Sequence, residues 1–101
     1  MTELERDALR SQLVLHEGLR LRPYLDTVGK LTIGIGRNLT DHGISHTEAT
    51  MLLDHDIDDA IIDLRGFGWF GTLDAVRQRA LCDLRFNLGP HRFRSFRKML
   101  T

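Results

Sequence analysis

A chain of 101 residues, 42% hydrophobic and 28% charged, is sized for one small domain or for one lobe with part of another. This ordinary composition, with no repeat, excludes a disordered, fibrous or low-complexity protein. The net charge is zero but unevenly spread: residues 1–63 hold 12 acids against 6 bases, and residues 64–101 hold 2 acids against 8 bases. The arginine-rich "RFRSFRK" end suits an anionic glycan, a membrane surface, nucleic acid, or the chain's own acidic half. No run approaches 18 apolar residues and no apolar core marks the N-terminus, so the sequence shows neither a membrane span nor a secretory signal. The single Cys82 excludes an intrachain disulfide and reads as a structural thiol within an apolar helical pattern.

Thr2 and Glu5 predict a capping box, and Leu4, Ala8, Leu9, Leu13 and Leu15 recur at helical spacing. Gly18 should stop this helix after His16 and Glu17, and Pro23 favours extended chain at Arg22. Residues 24–36 read as a hairpin turning at "DTVG". Its second strand sends Leu31, Ile33 and Ile35 to one face and Thr32, Gly34 and Gly36 to the other. A strand face that is nearly bare is either a floor for a ligand or an edge packed beneath a loop.

Residues 37–44 read as a loop, after which Ser45 and Glu48 open a helix to about Arg65. Its apolar stripe is Ala49, Leu52, Leu53, Ile57, Ala60, Ile61 and Leu64, while Asp54, Asp58, Asp59 and Asp63 read as a solvated face. "GFGWFG" at 66–71 interrupts the pattern, and Trp69 and Phe70 suit either packing or stacking on sugars. Thr72 is expected to cap a third helix that ends at Gly89-Pro90. A last short helix is expected from about Phe93, with Phe96, Met99 and Leu100 apolar. The organisation predicted is an N-terminal helix and hairpin lobe at 1–44, a connecting helix at 45–65 and a helical lobe at 66–101.

Two carboxylates beside a bare strand are the minimum for glycoside hydrolysis, which needs one proton donor and one ionised partner. Their surroundings should differ. Glu17 ends a helix beside an apolar run, whereas Asp26 sits in a polar turn among backbone N–H groups. Thr32, on the bare face, is placed to orient a water with Asp26. His42 and His46 are four apart, but a cap at Ser45 leaves His42 outside the helix and argues against shared metal ligation.

The stretch "HEGLRLRPYLDTVGKLTIGIGRNLT" resembles the catalytic segment of phage-type lysozymes, glycoside hydrolase family 24. The pattern is E-G-L-R-L-x-x-Y-x-D-T-x-G-x-x-T-I-G-I-G, from Glu17 to Gly36; "LDAVRQRALCDLRFNLG" at 73–89 and the "F…F…ML" ending extend it over roughly residues 9–100. The resemblance implies an α+β lysozyme-like fold with a small hairpin-containing N-lobe, a long connecting helix and a helical C-lobe. It also implies a muramidase that cleaves the β-1,4 bond between N-acetylmuramic acid and N-acetylglucosamine with inversion. Glu17 matches the general acid, Asp26 the carboxylate that positions water, and Thr32 its assistant; Gly34, Gly36, Leu39 and Asn87 are the candidate substrate-binding residues. No cofactor or metal is implied, and the partner implied is peptidoglycan rather than nucleic acid or a membrane interior. Arg37 stands where the family usually carries histidine. Family members usually continue through several more helices, so the C-lobe is expected to be incomplete, and a homodimer is one way to complete it. Without a signal, the enzyme is expected to collect in the host cytoplasm until a separate pore releases it. The alternatives are a non-catalytic wall-binding or assembly module on the same fold, or an inactive fragment.

Overall fold

The computed structural model describes residues 1–100; Thr101 and the side chain of Leu100, expected to be apolar in the last helix, lie outside the described residues. The chain divides into two compact units, Met1–Ser45 and a second that begins at His46. Among the described residues there are four α-helices and one three-stranded antiparallel sheet, the α+β class that the sequence implied.

In the first unit, α1 spans Glu3–Glu17. Thr2 Oγ1 accepts from Glu5 N–H at 3.1 Å and Glu5 Oε2 accepts from Thr2 N–H at 3.0 Å, the reciprocal cap expected. The sheet runs in the order β1 (Arg20–Leu25), β2 (Leu31–Gly34) and β3 (Arg37–Asn38). Tyr24 pairs with Thr32 and Arg20 with Gly34, with an irregularity between Arg20 and Tyr24. Pro23 lies inside that irregularity, where its missing N–H interrupts no ladder bond.

The hairpin reading of 24–36 is corrected here. The second strand ends at Gly34, and Ile35-Gly36 turn the chain into β3. Gly34 and Gly36 both sit at φ +70°, a conformation that L side chains resist, so the strand alternation stops at the first of them. The loop reading of 37–44 is corrected as well. Asn38 Oδ1 accepts from Asp41 N–H at 3.0 Å and starts α2, the single helical turn Leu39–His42.

The second unit holds α3 (His46–Arg65), a 3-10 turn at Phe70–Thr72 and α4 (Ala75–Leu100). α4 is two helices end to end, broken at Gly89 (φ 75°, ψ 165°). Pro90 begins the second piece, where its fixed φ fits and its absent N–H has no helical partner to lose. That helix therefore starts at Pro90, ahead of Phe93. The expected cap at Thr72 is also displaced: Thr72 belongs to the 3-10 turn, and Asp74 Oδ1 accepts from Arg77 N–H at 2.8 Å. Leu64, Phe67, Phe70 and Phe93 form the core, with Leu73, Leu81 and Cys82 packed against it. "GFGWFG" thus contributes buried Phe67 and Phe70, while half-exposed Trp69 stacks on Phe67 with centroids 5.0 Å apart.

Candidate active site

Glu17 is the last residue of α1. Gly18, at φ +75°, ends the helix, and its N–H donates to Val14 O at 2.8 Å. The Glu17 side chain is exposed, unlike the partly apolar setting its sequence neighbours suggested, because α1 buries none of its residues. Its carboxyl lies against the backbone of Gly36. A Cβ built there would stand 3.0 Å from Glu17 Oε2 and 3.3 Å from Cγ and Cδ.

Asp26 closes the β1–β2 turn. Its Oδ1 accepts from Val28 N–H at 2.9 Å and Lys30 N–H at 2.8 Å, and its carbonyl accepts from Gly29 N–H at 3.1 Å. Two amide donors on one oxygen hold the half-buried carboxylate in place. Among the described residues, Oδ2 takes no hydrogen bond and is left for solvent or substrate. Thr32 is buried at 4% exposure, in contrast to the open face expected for it. Flanked by β1 and β3, it pairs with Tyr24 on one side and Asn38 on the other. Its hydroxyl donates to Lys30 O at 3.0 Å, so Oγ1 can meet any further partner only as an acceptor.

Lys30 was absent from the candidate residues, yet its backbone joins the pair. Its carbonyl accepts from both Asp26 N–H (2.9 Å) and Thr32 Oγ1, while its N–H donates to Asp26 Oδ1. Lys30 Nζ also reaches Asp41 Oδ1 at 3.2 Å, and Leu31 N–H donates to Thr40 Oγ1 at 2.8 Å, anchoring α2 beside the turn. The only signal in the sequence for this link is the turn itself, since the backbone of any residue at that position would make it.

Gly34 ends β2, and Leu39, half-buried, is the first residue of α2. Asn87 belongs to the second unit, exposed on α4, with its Nδ2 3.4 Å from Asp83 Oδ1. Arg37 donates from Nη1 to Gly43 O at 3.3 Å, a contact that braces the end of α2. His42 and His46 lie on different helices, and the described residues contain no group of three potential metal ligands. An apolar hollow of about 430 Å³ lies between α3 and α4, lined by Leu53, Ile57, Ala60 and Phe86 among others. It is lined by none of these candidate residues.

The sequence model of the phage lysozyme family matches residues 14–100. The chain belongs to the phage lysozyme family. No individual curated protein matches it. The matched span includes both carboxylates, Thr32 and Lys30 of the β1–β2 turn, and Asn87 of the second unit. Phage lysozyme membership makes the chain a muramidase-type peptidoglycan hydrolase, within the glycoside hydrolases. Among the described residues no helix is long and apolar enough to cross a membrane.

Proposed function

We propose that the chain hydrolyses the β-1,4 bond between N-acetylmuramic acid and N-acetylglucosamine with inversion at the anomeric carbon. Glu17 gives its proton to the leaving glycosidic oxygen as the bond from C1 breaks. A water attacks C1 from the opposite face and passes a proton to Asp26. The observation that carries this reading is the Asp26–Lys30–Thr32 arrangement. It leaves one carboxylate oxygen and one hydroxyl acceptor near a common turn. A water donating one hydrogen to Asp26 Oδ2 and the other to Thr32 Oγ1 would turn its lone pair outward, as an inverting attack requires. Gly34, Gly36 and Leu39 would meet the sugar.

Clearing of purified peptidoglycan, with release of reducing ends, tests the assignment. The parent is expected to lyse. Glu17→Gln and Asp26→Asn should each be slower by about 10²-fold or more, the usual scale for lost acid–base catalysis. Asp26→Asn keeps an oxygen for the Val28 and Lys30 amides, so its melting temperature should stay near the parent's. Lysis retained by Glu17→Gln would overturn the assignment. Wall binding by the parent without reducing ends would favour a non-catalytic module instead.

A further inference from the structure

The geometry points to Gly36 as a positioning residue for Glu17, its bare Cα forming the seat on which the carboxyl rests. This rests on the reading of Glu17 as the proton donor. Six glycines adopt positive φ: Gly18, Gly29, Gly34, Gly36, Gly43 and Gly89. At five of them an added Cβ would meet nothing within 4 Å, so only the turn conformation asks for glycine there. Gly36 differs. Its Cβ would press on Oε2, Cγ and Cδ of Glu17, at 3.0, 3.3 and 3.3 Å.

Among the described residues, no hydrogen bond or ion pair holds the Glu17 carboxyl. The long side chain is therefore limited by what it rests against, and on the sheet side that is the Gly36 backbone. Gly36 is itself held in the β2–β3 turn, with Ile33 paired to Arg37 and Thr32 to Asn38. The turn that brings β3 beside Thr32 thus also sets how far the Glu17 carboxyl can approach the sheet. A methyl group at position 36 would push the acid outward by some tenths of an ångström or force a new rotamer. Proton transfer is sensitive to displacements of that order, with losses near 10²-fold for about 1 Å.

The test compares Gly36→Ala with Gly43→Ala, which imposes a similar positive-φ penalty (φ 58°) with no Cβ contact. Two readouts are followed: the Glu17 carboxyl resonance of the substrate-free chain by carbon-13 NMR, and the kcat and KM of peptidoglycan hydrolysis. Both variants should lose melting temperature to a similar degree. Only Gly36→Ala should shift the Glu17 resonance and lower kcat by about 10-fold to 10²-fold. An unmoved Glu17 resonance in folded Gly36→Ala overturns the inference. So does a loss confined to KM, which would mark Gly36 as a sugar contact only. The substrate-free resonance separates this outcome from failure of the functional reading, which Glu17→Gln tests on its own. Should Gly36→Ala not fold, adding Glu17→Ala removes Cγ, Cδ and Oε2, the three atoms that meet the new methyl group, and should restore folding; a double variant that stays unfolded also overturns the inference.

Discussion

At the scale of single residues, most of the distinctive chemistry is a matter of which proton or lone pair is already committed. Thr32 has given its hydroxyl proton to Lys30 O, and Asp26 has given one oxygen to two amides, so each is left with one kind of bond to offer. The fold moves the titration of Cys82: desolvation by burial raises its thiol above the ordinary 9.0. The folded state then keeps a proton at pH values where the unfolded chain has released it. The stability this contributes is complete below pH 9 and is lost as pH rises through the raised folded value. Urea unfolding of the parent from pH 7 to 10 should therefore fall off more steeply above pH 9 than that of Cys82→Ala. The excess slope is at most about 1.4 kcal/mol per pH unit, the limit for one proton. Parallel curves for the two proteins would show that the thiol is not desolvated.

At the scale of elements, ends matter more than middles. α1 begins with its capping box and stops at a glycine, and these two signals place it although none of its side chains is buried. α4 depends instead on Asp74, whose Oδ1 takes the Arg77 amide and whose carbonyl takes that of Gln78 at 3.0 Å. Asp74→Ala should cost about 1 kcal/mol, the usual worth of an N-cap, seen as a lower urea midpoint with an unchanged slope. A loss below a few tenths of a kcal/mol would mean that the 3-10 turn, held by Thr72 Oγ1 donating to Trp69 O, starts the helix without Asp74.

At the scale of the whole molecule, the buried apolar core belongs to the second unit, and in the first unit the one buried residue among those described is the polar Thr32. The core joins α3 to both halves of α4. Phe93, past the break at Gly89, packs edge-on to Phe67 with centroids 6.0 Å apart, and Arg85, before the break, lies 5.9 Å from the Phe93 ring. Arg85 Nε also donates to Asp63 Oδ2 at 2.7 Å, an ion pair between α4 and the acidic α3 that lies outside the arginine-rich 92–98 stretch. Phe93→Ala should remove about 3–5 kcal/mol, comparable with the entire stability of a small unit. Thermal unfolding is expected to lose its cooperative transition or fall well below the parent midpoint. A shift of only a degree or two would show that Phe93 is not the side chain binding the two halves of α4 together.

How much of this was legible depended on how far along the chain each cause lies. Thr2 with Glu5, Gly18 after Glu17, and the Asp26–Gly29 turn all act within four residues, and each is where the sequence placed it. The same local logic failed at Gly34–Gly36, where alternating isoleucine and glycine reads as strand but the positive φ of the glycines makes a turn. It failed again at Thr72, where two capping residues stand close together and the 3-10 turn takes the first. The motif from Glu17 to Gly36 pointed to the family without any structure, and the family model matches the span that contains it. The sequence by itself thus determined the class, the start and stop of α1 and the turn at Asp26. Only the tertiary structure decided that Glu17 rests on Gly36, that Thr32 is enclosed between two strands, and that Arg85 meets Asp63 and Arg97 meets Gly66. Each of those pairs is brought together by chain reversal, and no periodicity read along a single element records what a neighbouring element presents to it.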